Sequence, residues 1–551
     1  MSNLIQQIRD AIIGDHAAID TPFGVRPLIY ADYTASGRSL SFIEDFIRND
    51  VLPYYANTHT ETSFTGAQTT LLREQAREII RQAVNGTHED KVIFCGSGAT
   101  AAMNKLIDML NLRLPKSLSD DFDLESVIPA EQRPVVFIGP YEHHSNELPW
   151  RESIADVVVI PLDGKGQLDL AALEDALTKY IDRPLRIGSF SAASNVTGVR
   201  TDVPGVTSIL KRHGALAFFD YAAAAPYTGI DMNGHPSLDA VFISPHKFIG
   251  GPGTPGVLIV KGQLLTNPIP ATVGGGTVIY VTPEDHQYVS DAERREEGGT
   301  PGIVESIRAG LVFKLQQDVG LQEIARREHA FISRAIARLS QCENLEILGP
   351  TDVPRLSILS LRFKRDDKDL HYGFVVSLLN DLFGIQARGG CSCAGPYGHS
   401  LLGMDMSYSR ALQSQIAAGN AILRPGWVRL NFNYFISEAE FDYLLGAIEL
   451  VAKHGWRLLP YYRFDVSSGM WRFHSEAKSL PVSLEGLSFD QLEPTARATP
   501  APWELGELLV EAERELTATR SKEPETIRNL PDEAEGLRWF ALLARADVGC
   551  W

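Results

Sequence analysis

LAFFDYAAAAP (216–226), followed one crossover later by AVFISPHKFIGGPGTPG (240–256), is the stretch that decides the fold. Each half is a short run of β-branched and aromatic residues that stops at polar or turn-forming residues. Such runs, separated by helical spacing, indicate neighbouring strands of a buried parallel sheet. In such sheets ligands bind at the carboxyl ends of the strands, so the residues after each run carry the chemistry. Here they are Asp220 in the first half, and Ser244, His246 and Lys247 in the second. Asp220 either caps the next helix or, partly buried, pairs with a heteroaromatic N–H and keeps it protonated. A lysine at the end of a buried strand is costly unless it is paired or functional, and a depressed pKa turns its amine into a nucleophile.

Working outward, KVIFCG (91–96), PVVFIGP (134–140) and LRIGSFSA (185–192) are further strands of the same kind. After the first comes GSGAT, where Ser97, Gly98, Ala99 and Thr100 open a helix whose free N–H groups suit a phosphate. Ser244 and His246 reach the same anion. After the second stands His143, either a satisfied polar histidine or an imidazole stacked on a planar ring. After the third, SAASNVTG (191–198) offers Asn195 as a donor. An anion turn, a stacking histidine, an amide donor, a carboxylate and a Schiff-base lysine, in that order, are what pyridoxal phosphate (PLP) requires of a protein.

These residues resemble the class-V aminotransferase fold, and within it the cysteine desulfurase and selenocysteine lyase group. The resemblance runs from about Tyr30 to Tyr434. It implies an α/β protein of PLP-dependent transferase fold type I, with a mostly parallel large domain and a smaller α+β domain. YADYTASG (30–37), with Ala35, is similar to the family's opening strand and turn, and ANTHTETSFTG (56–66) to a segment over the active site. The resemblance implies phosphate contacts from Ser97–Thr100, Ser244 and His246, ring stacking by His143, Asn195 on the ring-hydroxyl side, Asp220 on the pyridine nitrogen and Lys247 as the cofactor lysine. EEGGTPGIVES (296–306) resembles a segment lent across a homodimer, with Thr300 on the neighbour's phosphate. Arg429 matches the arginine that binds a substrate α-carboxylate, and Ala35 and Arg388 fall beside the substrate. ARGGCSCAGP (387–396) is similar to the desulfurase loop, with Cys393 at the nucleophilic position. Its Cys-x-Cys form is similar to the N-terminal domain of molybdenum cofactor sulfurase. The chain departs from the pattern at Ala223, where the family has glutamine, and at Gly389, where it has threonine.

The resemblance therefore implies a lyase acting on L-cysteine, releasing alanine and leaving a persulfide on Cys393 for a sulfur-acceptor protein. The same fold hosts transaminases, epimerases and kynureninase-like lyases, and a non-catalytic protein that kept the fold is a third reading.

The expected organisation is an N-terminal segment (1–29) packing with the small domain, a PLP-binding large domain (30–307), a small α+β domain (308–455) and a C-terminal extension (456–551). In the extension EPTARATPAP (493–502) reads as a linker, and Leu505, Leu508, Leu509, Ala512 and Leu516 mark a helix. With 44% hydrophobic and 22% charged residues in 551, a sizeable core is expected. A net charge of −18 repels phosphate backbones and argues against nucleic acid as the main partner. No run approaches the length of a membrane span, the start has no signal-peptide pattern, and five cysteines make no disulfide framework, so the expected compartment is the cytoplasm. One Cys-x-Cys without a second ligand pair does not point to a metal.

Overall fold

The computed structural model describes residues 2–58, 60–474, 483–485, 487–491, 503–518 and 530–542. Its centre is a seven-stranded sheet of β1 (Asp90–Cys95), β2 (Val135–Ile138), β3 (Asp156–Val159), β4 (Arg186–Ser191), β5 (Leu216–Asp220), β6 (Ala240–Ile243) and β7 (Gly256–Lys261). The order across the sheet is β1-β7-β6-β5-β4-β2-β3. Pairings among β2 to β6 are parallel, and β7 alone runs against its neighbours β1 and β6. The unbroken apolar runs follow from burial on both faces. Phe218 and Phe242 join one core with Trp150, while Phe219 and Val241 join the other with Phe190.

Helices cover both faces. The cavity-bearing ones are α2 (Gly98–Met109) and α3 (His144–Arg151), preceded in the chain by the long α1 (Phe64–Ala83). α4 (Ile303–Val319) lies against α1, and at their crossing a Cβ added to Gly310 would stand 2.5 Å from the Ala76 Cβ, so only glycine lets the helices come this close. The helical stretch from 303 to 339 is two helices. Gly320, at φ +86°, ends α4 and starts α5 (Leu321–Leu339).

The smaller sheet has the order β8 (Leu345–Ile347), β9 (Ile358–Arg365), β11 (Trp427–Asn431) and β10 (Arg388–Gly390), all antiparallel. α6 (Tyr372–Phe383) packs on it, and α7 (Glu438–His454) packs on α6. The N-terminal segment is tied down by Arg9, which donates to the Phe435 and Ile436 carbonyls, and by His16 at 3.2 Å from Glu440. In the extension, α8 (Leu505–Thr517) buries Leu505, Ala512 and Leu516. Its Leu509 lies against Gly446 of α7, and its Glu511 pairs with buried Arg26 at 2.8 Å. Trp471, Trp539 and Phe540, also from the extension, surround His371 at the start of α6. The expected linker at 493–502 lies outside the described residues. Among them no helix is long and apolar enough to cross a membrane.

Candidate active site

Because β1, β2, β4, β5 and β6 run the same way, their carboxyl ends meet at one edge of the sheet, and a cavity of about 220 Å³ opens there. It is lined by Ser97, Gly98, Ala99 and Thr100 after β1, His143 after β2, Asn195 after β4, Asp220 at the end of β5, and Ser244, His246 and Lys247 after β6. Ala35 enters from the turn at 32–37, held by Gly37 N–H on the His246 carbonyl at 2.8 Å. The small domain adds Arg388, Cys393 and Arg429. Thr300 does not line this cavity. It is exposed, with the Asn57 amide 3.4 Å from its hydroxyl.

The anion end is built from backbone. Gly98 has φ +58°, and a Cβ there would stand 2.9 Å from both Ser244 Oγ and His246 Cε1, filling the turn. Ser244 Oγ accepts from Ala99 N–H at 2.9 Å and so ties α2 to the lysine loop. Burial and the Lys247 charge push His246 down to about 4, which leaves it neutral.

In the middle, Asp220 is buried, its carboxylate accepting the Ala222 N–H at 2.8 Å, and burial raises its pKa. Lys247 is pushed down to about 8, because burial and the Arg429 and Arg388 charges outweigh the pull of Asp220. His143 caps α3 by accepting the Ser145 N–H at 3.1 Å, and burial beside Lys247 drives it down to about 3. Its imidazole is therefore neutral and can lie on a flat ring. Asn195 donates its amide to the Ser392 carbonyl at 2.8 Å, leaving its buried Oδ1 without a partner.

The far end is a pair of arginines that face each other across β10 and β11, Arg388 opposite Arg429. Both reach Asp32, Arg388 at 2.9 Å and buried Arg429 at 3.1 Å. Arg429 also donates to the Asn195 carbonyl at 3.1 Å, and its Nε is buried without a partner. Cys393 sits exposed at the rim with φ +56°, next to Ser392 at φ +54°. Cys391 is exposed too but does not line the cavity. The loop is pinned by His144, whose backbone N–H donates to the Cys393 carbonyl at 2.8 Å and whose Nε2 accepts from Gly395 at 3.0 Å.

One end can thus take an anion, the middle a flat heteroaromatic ring beside an amine, and the far end a carboxylate within reach of a thiol. A sequence model of the class-V aminotransferases matches residues 29–444. The chain belongs to that family. Among its class-V relatives, a probable cysteine desulfurase of Halalkalibacterium halodurans is 29% identical over 386 residues, covering 69% of this chain and 87% of the relative. One of Streptomyces coelicolor is 27% identical over 374 residues, covering 67% and 84%. The apo structure of a cysteine desulfurase from Thermococcus onnurineus NA1 has the same fold, with a TM-score of 0.63 at 24% identity over 77% of this chain and 95% of that one. The cysteine desulfurase CsdA of Escherichia coli also shares it, at 0.63 and 20% identity over 82% and 98%.

Sequence reasoning passed over His144, whose docking partner lies far away in the chain. It also passed over Glu142, which is 3% exposed and held by Ser191 and Asn146. An acidic residue beside two histidines reads as a solvated turn until Gly139 and Ser191 close over it. Asp32 proves to be the shared partner of both arginines.

Proposed function

We propose that this class-V protein is a PLP-dependent cysteine desulfurase, converting L-cysteine to L-alanine and leaving the sulfur as a persulfide on Cys393. The observation that carries the reading is that Lys247, Asp220, Arg429 and Cys393 line one cavity. The donor set fits PLP. Gly98 leaves room for a phosphate among Ala99, Thr100, Ser244 and His246, and the orphaned Asn195 Oδ1 and Arg429 Nε are buried polar atoms in want of partners. Lys247 would hold the cofactor by its aldehyde, Asp220 its pyridine nitrogen and neutral His143 its ring face. When bound, PLP supplies an electron sink for the bonds of the substrate α-carbon.

The remaining work falls to side chains. Arg429 would offer its guanidinium to the substrate carboxylate, a charge-assisted contact that would hold the substrate in the cavity. Lys247, held near neutrality, carries the α-proton. The Cys393 thiolate attacks the substrate sulfur, so that an S–S bond forms as the substrate C–S bond breaks. Protons then return to the three-carbon product, which leaves as alanine. The relatives named probable cysteine desulfurase support this substrate. A sulfur-acceptor protein, a homodimer with Thr300 facing the partner's phosphate, and the division at 307 and 455 belong to the same proposal.

Incubation of PLP-loaded protein with L-cysteine and a thiol reductant that frees the persulfide sulfur, with alanine and sulfide measured, tests it. Stoichiometric turnover is expected. Borohydride reduction and peptide mapping should find the cofactor on Lys247, and an adduct on another lysine would refute the assignment.

A further inference from the structure

Behind the cavity wall, Glu142 is buried among donors. Its Oε1 accepts the Gly139 N–H at 3.1 Å and the Ser191 N–H at 2.9 Å. Its Oε2 accepts the Asn146 amide at 2.6 Å and the Ser191 hydroxyl at 2.6 Å. Asn146 is itself fixed by Ser189, whose hydroxyl donates to its Oδ1 at 2.6 Å. Three of the four groups on Glu142 are N–H donors, which cannot accept a proton in return, so the nest suits a carboxylate rather than a carboxylic acid. Gly139 is glycine because a Cβ there would run into Glu142 Oε1.

This carboxylate is tied through Ser191 to the strand beside Asp220. Ser191 is the register partner of Asp220 across β4 and β5, and the Ala192 N–H donates to the Asp220 carbonyl at 2.9 Å. Burial and, less strongly, the Asp220 charge push Glu142 up to about 7, while the Ser191 and Asn146 donors pull the other way. A neutral side chain would be cheaper to bury there. A cation seated against Asp220 relieves the repulsion. Lys247 faces Asp220 and Tyr141 faces Glu142, Tyr141 being tied to Thr201 at 2.8 Å, while His143 and Arg429 line the same cavity as Asp220.

Building on the PLP reading, we infer that Glu142 is a positioning residue for the cofactor. Its carboxylate fixes Ser191 and the end of the Asp220 strand, and it adds a second negative charge that keeps the pyridine nitrogen protonated. Glu142→Gln keeps the shape and removes the charge. In the PLP-loaded full chain it should weaken PLP binding about tenfold and move the pH midpoint of the cofactor's absorbance down by about one unit, a unit being a factor of ten. Glu142→Asp should restore part of that shift. Ser189→Ala, which loosens the same network but keeps the charge, should lower thermal stability without moving the midpoint.

Equal midpoints in wild type and Glu142→Gln overturn the inference, as does an equal shift in Ser189→Ala. If Glu142→Gln does not fold, Ser191→Ala takes its place: it strips one donor from the carboxylate and should move the midpoint the same way by less, and an unmoved midpoint refutes the idea. A wild-type chain that takes up no PLP ends the function reading and this inference together. One that takes it up, beside an unchanged Glu142→Gln, ends this inference alone.

Discussion

At the scale of single residues, the two loop cysteines are separated by where they stand. Cys393 lines the cavity and Cys391 does not. Cys393→Ala should still bind cofactor and L-cysteine, since Lys247 and Arg429 remain, but release no alanine above background. Cys391→Ala should keep at least part of the turnover, and amino-acid analysis after incubation distinguishes the two. Lys247 carries a second prediction. Only the neutral amine attacks an aldehyde, and with a pKa of about 8 its neutral fraction grows as pH rises through that value. PLP uptake by the apo protein, followed by absorbance, should therefore climb between about pH 7 and pH 9 and then level. A rise that continues to the ordinary lysine value would show an undepressed amine. Lys247 and Asp220 were legible in the sequence because each follows an apolar run, a local pattern. Glu142 and His144 were not, because what buries or engages them comes from β4 and from the 391–396 loop.

Among the elements, the turn from β1 into α2 concentrates the most constraint. Gly98→Ala places a Cβ against Ser244 and His246 and holds a left-handed backbone at a cost of about 1–2 kcal/mol. The fold should survive with its circular dichroism unchanged, while the PLP dissociation constant rises at least tenfold. Retained affinity would move the phosphate elsewhere. Five strands of the central sheet were legible from their apolar runs. The antiparallel course of β7 was not, since direction is set by the connection from Lys247 rather than by any residue within GVLIVK. Gly320 likewise stands between the apolar Val319 and Leu321, so no hydrophobic gap marks the end of α4. The break lies in one backbone angle, φ +86°.

For the whole molecule, residues from both sheets line the cavity, and Asp32 bridges to both arginines. The proposed homodimer predicts twice the chain mass in sedimentation equilibrium, and a fully active monomer would rule it out. The extension is a further test. Its role was illegible in the sequence because Trp471, Trp539 and Phe540 have no periodic pattern and find their partner, His371, far away in the chain. His371 is fully engaged, accepting from Trp471 Nε1 at 3.0 Å and sharing a 3.0 Å bond with the Ile422 carbonyl. Phe540→Ala, at a fully buried site, should lower stability by about 3–5 kcal/mol in chemical denaturation. It should also speed hydrogen exchange at 388–393. Trp539 stacks on Tyr372 with 6.0 Å between ring centres, and a Cβ on Gly389 would meet that Tyr372 ring at 2.6 Å. The strand leading to the cysteines thus leans on a ring that leans on the extension. A ribosome delivers every cavity residue before it delivers Trp539, so a nascent chain carries the thiol before it carries the brace beneath it. The order of synthesis then makes the loop with Cys391 and Cys393 the last part of the cavity wall to be steadied.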